Sequence, residues 1–156
     1  LQPGCGVGGH CIAVDPYFIT HHFPLESKII GTAREINNYK PFWCLEKIEL
    51  ARSEFSKTHN CNPKIAVMGI TFKPNIDDLR ESPAMFIAQK LLNNLNNEEV
   101  LIADPNIQSH KQFKLIEHQK ALEISDIIVF LVAHDEFKDL EVDDEKHVLD
   151  FCGVRN

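Results

Sequence analysis

Apolar residues follow two rhythms along this chain. From residue 26 to 58 they recur at helical spacing. Ile29, Ala33 and Ile36 form a stripe, and Trp43, Ile48, Ala51 and Phe55 continue it beyond Pro41, with charges between. The pattern predicts one long helix, kinked at Pro41 or restarted there, because the residue before a proline avoids the α region. From residue 64 onward the rhythm changes to short β-branched runs. "KIAVMGI" (64–70), "EVLIADP" (99–105), "DIIVFLVA" (126–133) and "HVLDF" (147–151) read as strands. "KIAVMGI", short, β-branched and ending in glycine, reads as a buried strand. Ser82-Pro83 opens an intervening helix to about Leu95, with Ser as cap and Pro in the first turn. "QKALEIS" reads as a shorter helix. Strands alternating with helices predict an α/β fold: a Rossmann-like parallel sheet with helices on both faces, preceded by a long connecting helix.

Residues 1–24 follow neither rhythm. They are rich in Gly, Pro and His and read as a loop, with a short helix begun by Asp15-Pro16. "THNCNP" (58–63) and "TFKPNIDDLRESP" (71–83) are further loops. The chain thus divides into a cysteine-bearing loop (1–24), a connecting helix (25–60) and an α/β domain (61–156).

Composition narrows the function classes. The 156 residues are 44% hydrophobic and 25% charged, within the ordinary globular range. No apolar run reaches membrane-spanning length, and no basic stretch followed by an apolar core marks a signal peptide. A net charge of -7 argues against nonspecific nucleic-acid binding, so local basic positions must meet any anionic ligand. The five cysteines are odd in number and form no C-x-x-C, which argues against a disulfide framework and a zinc ribbon. That usage fits a reducing compartment, here the cytoplasm, in which one thiol can be chemically special.

"GCGVGGHCIAVDP" at 4–16 is the candidate for that chemistry. One reading is a structural glycine loop around a buried cysteine. Another is a phosphate loop: "GCGVGG" satisfies G-x-G-x-x-G, but no strand precedes it and the G-K-[ST] of a P-loop is absent. A third is a catalytic thiol, since glycines admit close approach of backbone to ligand and amide dipoles stabilise a thiolate.

The longer string "GVGGHCIAVDPYFI" resembles the catalytic-cysteine loop of the UDP-glucose/GDP-mannose dehydrogenase family, in the wording of the branch acting on UDP-N-acetylmannosamine. "TAREINNYKP" resembles the helix joining that family's two nucleotide domains. "GITFKPNIDDLRESP" resembles its second signature, and "DFCGVRN" its C-terminal arginine segment. The four stretches occur in family order across essentially the whole chain. The family's NAD-binding domain precedes the cysteine loop, together with a catalytic lysine and asparagine. The resemblance therefore implies a C-terminal half, expected to be inactive alone, whose loop forms one wall of a shared site.

The implied reaction oxidises a sugar primary alcohol to a carboxylate with NAD, in two hydride transfers joined by a covalent thiol intermediate. Cys11 is implied as the nucleophile, with Cys5 as the runner-up. Asp15 is implied to orient the hydrolytic water or bind the catalytic lysine; a helix-start carboxylate is the plain alternative. Gly8 and Gly9 are implied to bring backbone to the sugar or nicotinamide. Phe72 and Lys73 are implied substrate contacts, Lys73 near the pyrophosphate. Arg80 is assigned to NAD and Arg155 to substrate oxygens, while Asp77 and Asp78 brace their loop. His10 takes a place where relatives carry Ser and is not read as catalytic. His21 and His22 are read as exposed, and no metal site is expected. The partners implied are a UDP-sugar and a second copy across the connecting helix, where Trp43 and Phe55 offer more apolar surface than the α/β unit covers. The alternatives are a sister specificity (UDP-N-acetylglucosamine, UDP-glucose or GDP-mannose), a nonenzymatic nucleotide-sugar-binding module, and a cysteine hydrolase for which no motif places a base.

Overall fold

A computed structural model describes residues 3–96 and 98–155; the first two residues of the expected cysteine loop and Asn156 lie outside them. The four apolar runs form β1 (Ile65–Met68), β2 (Val100–Ala103), β3 (Ile127–Phe130) and β4 (His147–Asp150), each shorter than its run. They pair in parallel in the order β2-β1-β3-β4, with Ile65 opposite both Val100 and Ile127.

Side chains alternate between faces along each strand. Ile65, Val67, Val100, Ile102, Ile127 and Val129 face one layer, and Ala66, Met68, Ala103, Ile128 and Phe130 the other. The first layer is covered by α2 (Lys28–His59) and α3 (Pro83–Asn94); the second by α4 (His118–Ile124) and Phe137 of a 3-10 turn at Asp135–Phe137. The expected Rossmann-like sheet with helices on both faces is present. Ser82 caps α3 as its sequence predicts: its Oγ accepts from Met85 N–H and donates to the Ile70 carbonyl, tying the helix start to the end of β1. The Asp15-Pro16 helix, α1 (Asp15–His22), buries none of its residues.

The connecting helix does not restart at Pro41. It is one element of 32 residues, with Pro41 inside it. The carbonyl at Asn37, which Pro41 cannot reach with an N–H, lies where Gly6 of the cysteine loop passes, 3.6 Å from an ideal Gly6 β-carbon. The expected single stripe also divides. Cys44, Ile48 and Ala51 are buried in the α/β core, with Trp43 and Phe55 packed against it, and Trp43 meets Phe151 edge-on at 5.8 Å. Truncating Ile48 to Ala there would cost roughly 2–5 kcal/mol. Ile29, Ala33 and Ile36 are exposed, Ile29 at 87% and Ile36 at 66%. The surplus apolar surface thus lies on the first half of α2, not at Trp43 and Phe55. Among the described residues no helix is long and apolar enough to cross a membrane.

Candidate functional site

In a parallel sheet, ligands bind beyond the carboxyl ends of the strands where the chain order reverses direction. Here β1 connects outward to β2, and the chain then returns past β1 to β3. A cleft of about 480 Å³ opens at that place. Its walls are Thr71–Pro74 after β1, Leu131–Ala133 after β3, Cys152 and Gly153 after β4, and Pro3–Gly8 with Ile12 of the cysteine loop. Gly69 lets the first two walls approach: φ is +88°, and a β-carbon there would lie 2.6 Å from Val132 Cβ. Lys73 is the one charged side chain lining the cleft among the described residues.

The cysteine loop is pinned by paired hydrogen bonds to α2 and by one to the second signature. Val7 N–H donates to Asn37 Oδ1 at 2.8 Å, and Asn37 Nδ2 donates back to the Val7 carbonyl at 3.2 Å. Gly9 N–H donates to the Arg80 carbonyl at 3.2 Å. Gly8 runs so close to the second signature that a β-carbon would stand 2.1 Å from Glu81 O, and one on Gly9 2.8 Å from the Phe72 ring. Gly8 and Gly9 are therefore required by contact with the chain itself.

Cys11 is exposed at the turn into α1, its carbonyl accepting from Val14 and Asp15 N–H. Asp15 is exposed in the first turn of α1. Cys5 is buried and donates to the Leu131 carbonyl at 3.6 Å; burial pushes its thiol up to about 12. A thiol so held is a poor thiolate, which weighs against Cys5 as nucleophile. Burial likewise raises Cys44 to about 11 and lifts Cys152, where the neighbouring Asp150 adds to it. Cys11 and Cys61 are the two exposed thiols.

Arg80 is exposed and grips Asp78 through Nε and Nη2 at 2.6–3.0 Å. That grip holds the Asp78 carboxyl down to about 2 and raises the guanidinium, to which nearby Cys11 also contributes. Asp78 thus braces the loop as expected, and Arg80 sits within electrostatic reach of Cys11. Phe72 and Lys73 stand on the cleft wall, the ammonium 5.8 Å from the Phe72 ring centroid. Arg155 does not line this cleft. Its N–H donates to Asp150 at 3.0 Å, and its side chain borders an adjoining hollow beside Lys138 and Leu140; Ala133 and Gly153 line both. His21 and His22 are exposed.

Sequence reasoning passed over the buried polar centre beneath the cleft. Asp104 after β2 accepts from Ile70 N–H at 2.7 Å, Thr71 N–H at 3.3 Å, Asn106 N–H at 2.9 Å and His134 Nε2 at 3.2 Å. Burial alone would raise its carboxyl; the bonds from His134, Ile70 and Asn106 outweigh that and leave it lowered. The signal was polar residues directly following apolar strands, in "ADP" and "VAHDEF".

Residues 66–154 match the UDP binding domain of the UDP-glucose/GDP-mannose dehydrogenase family, and residues 1–39 match that family's central domain. The chain is 46% identical to the UDP-N-acetyl-D-mannosamine dehydrogenase of Campylobacter jejuni, over 97% of this chain and 37% of that protein. It is 43% identical to an NDP-N-acetyl-D-galactosaminuronic acid dehydrogenase of Ralstonia nicotianae, over 99% and 36%. The structure of the UDP-D-ManNAc dehydrogenase of Pyrococcus horikoshii superimposes with a TM-score of 0.77 at 29% identity, covering 99% of this chain and 37% of that one. The chain thus spans less than two-fifths of the length of these relatives. With one domain of the family matched over more than half its residues and the parallel sheet in place, the chain belongs to the UDP-glucose/GDP-mannose dehydrogenase family.

Proposed function

We propose that this chain is the nucleotide-sugar-binding part of a cytoplasmic NAD-dependent dehydrogenase that oxidises the C6 alcohol of UDP-N-acetylmannosamine to the uronate. The carrying observation is the juxtaposition of a cleft with one cationic side chain, Lys73, and a loop pinned beside it that exposes Cys11. Lys73 meets the pyrophosphate, and Phe72 and the glycine-lined wall exclude water. Arg155, from the adjoining hollow, reaches the distal oxygens of the ligand.

NAD, when bound, accepts the hydrides. Among the described residues, Arg80 is the one assigned to NAD. Cys11 acts between the oxidations. Its thiolate adds to the carbonyl carbon of the intermediate aldehyde, and the oxygen takes a proton. The thiohemiacetal carbon can then give up a hydride, and its hydroxyl a proton, where the free aldehyde could not, leaving a thioester. Water, oriented by Asp15, adds to the thioester carbonyl, and the C–S bond breaks to return Cys11 and release the carboxylate. Sugar identity is the finer part of this reading, and relatives at 46% and 43% identity carry different sugar names.

The test is calorimetric titration of UDP and UDP-N-acetylmannosamine into the chain. Binding is expected, weakened roughly tenfold or more in Lys73→Ala by loss of a charge-assisted contact. No UDP binding by the unaltered chain would sink the reading. A nonenzymatic nucleotide-sugar module is the second reading; it predicts UDP-sugar binding with no NADH formation by the full-length protein that carries this segment. We further propose that a second copy covers the first half of α2, where Ile29, Ile36, Tyr39 and Phe42 are exposed. A strict monomer in sedimentation at high concentration would refute that.

A further inference from the structure

His134 is fully buried, does not line the cleft, and is surrounded by hydrogen-bonding groups from the ends of β1 and β2. Its Nδ1 accepts from Asn75 N–H at 3.1 Å and pairs with Asn106 Nδ2 at 2.9 Å. A backbone N–H can only donate, so Nδ1 carries no proton and the ring's proton sits on Nε2. That N–H is shared between Asp104 Oδ2 and Thr71 Oγ1, both at 3.2 Å. Thr71 Oγ1 in turn donates to the Lys73 carbonyl at 3.0 Å. The loop after β1 is therefore held at Thr71, at the Lys73 carbonyl and at Asn75, and Asn75 adopts a left-handed φ of 61° that its bond to Nδ1 helps fix. With the backbone held from beneath, Phe72 and Lys73 are left to the cleft.

We propose that His134 is a positioning residue for anion binding: through Thr71 and Asn75 it fixes the backbone that presents the Lys73 ammonium to the ligand. This rests on the reading of the cleft as a UDP site. Asp104 orients the ring from the opposite side, as a carboxylate fixes a histidine tautomer.

The test compares His134→Phe, which keeps a ring and loses both polar edges, with His134→Asn, whose amide oxygen can replace the Nδ1 acceptor. Hydrogen exchange in the ligand-free chain should quicken at residues 72–75 in His134→Phe, with the sheet unchanged, and be partly restored in His134→Asn. By calorimetry, His134→Phe should weaken UDP about tenfold or more while uridine binding is unchanged. On a Lys73→Ala background it should add almost nothing. The proposal is overturned if exchange at 72–75 is unchanged or rises across the whole sheet. Equal loss of uridine and UDP, or a loss additive with Lys73→Ala, also overturns it. If the unaltered chain binds no UDP but exchange responds as stated, the nucleotide reading falls while the hold of His134 on the loop stands.

Discussion

Replacing Gly8 with Ala tests the docking of the cysteine loop most directly. The backbone at Gly8 lies outside the left-handed region, so alanine carries no conformational penalty there, unlike at Gly9 or Gly69. What it meets is the Glu81 carbonyl oxygen at 2.1 Å and Pro83 Cδ at 2.8 Å. The oxygen belongs to backbone, and the proline heads a helix buried against the core, so neither can rotate away. To reach the 3.0 Å at which real contacts begin, the loop must withdraw by roughly 1 Å. If it stays compressed, overpacking costs about 1–3 kcal/mol. If it lifts off, it forfeits the Gly9–Arg80 bond and the paired Val7–Asn37 bonds, about 1 kcal/mol each. Both routes give about 1–3 kcal/mol, a fall in Tm of about 2–12 °C for a chain of this size. Gly4→Ala is the internal control, because a β-carbon there meets nothing within 4 Å. Thermal unfolding reads the cost, and limited proteolysis within 4–14 reads detachment. Equal Tm and equal proteolysis for Gly8→Ala and the unaltered chain would refute the described contact.

Two further outcomes follow from the electrostatics. Iodoacetamide under native conditions should modify Cys11 and Cys61, with Cys5, Cys44 and Cys152 reacting only after unfolding; peptide mass spectrometry reads the order, and early modification of Cys5 would contradict its burial. The Asp78 carboxyl, held near 2 by Arg80, is depressed relative to an unfolded value of about 3.9. Its contribution is therefore present above about pH 4 and lost as pH falls toward 2. Urea midpoints of Asp78→Asn and the unaltered chain should differ by a constant amount above pH 4 and converge toward pH 2; a gap that widens on acidification would reverse the assigned sign.

Much of the fold was legible because it is local. Three buried strands and a half-buried fourth declare themselves as β-branched runs, and Ser82-Pro83 carries its own cap. Pro41 lies inside one continuous α2, with the Asn37 carbonyl beside Gly6 of the cysteine loop, a neighbour more than 30 residues earlier that helical periodicity does not reveal. The stripe through Ile29 and Phe55 misled for a related reason. Periodicity marks a helix face but does not say what covers it: the second half of α2 packs on the core, while Ile29 and Ile36 of the first half stay exposed. Cys11, Lys73 and Arg80 stood out through resemblance and strand-end position. The centre of Thr71, Asp104 and His134 did not, because its members lie 33 and 30 residues apart and meet only when three parallel strands end at one level.

The unbroken 32-residue α2 carries both the Asn37 clamp and, from Cys44 onward, residues of the core. Each residue of an α-helix turns the chain by about 100° and advances it 1.5 Å. The two functions are thus locked in phase. Inserting or deleting a single residue between Asn37 and Cys44 would leave the core side seated and swing Asn37 away from Val7 by that angle. A full turn of added residues would restore the angle but carry the clamp about 5 Å past the loop. This stretch of a largely exposed helix therefore tolerates substitution far better than any change of length.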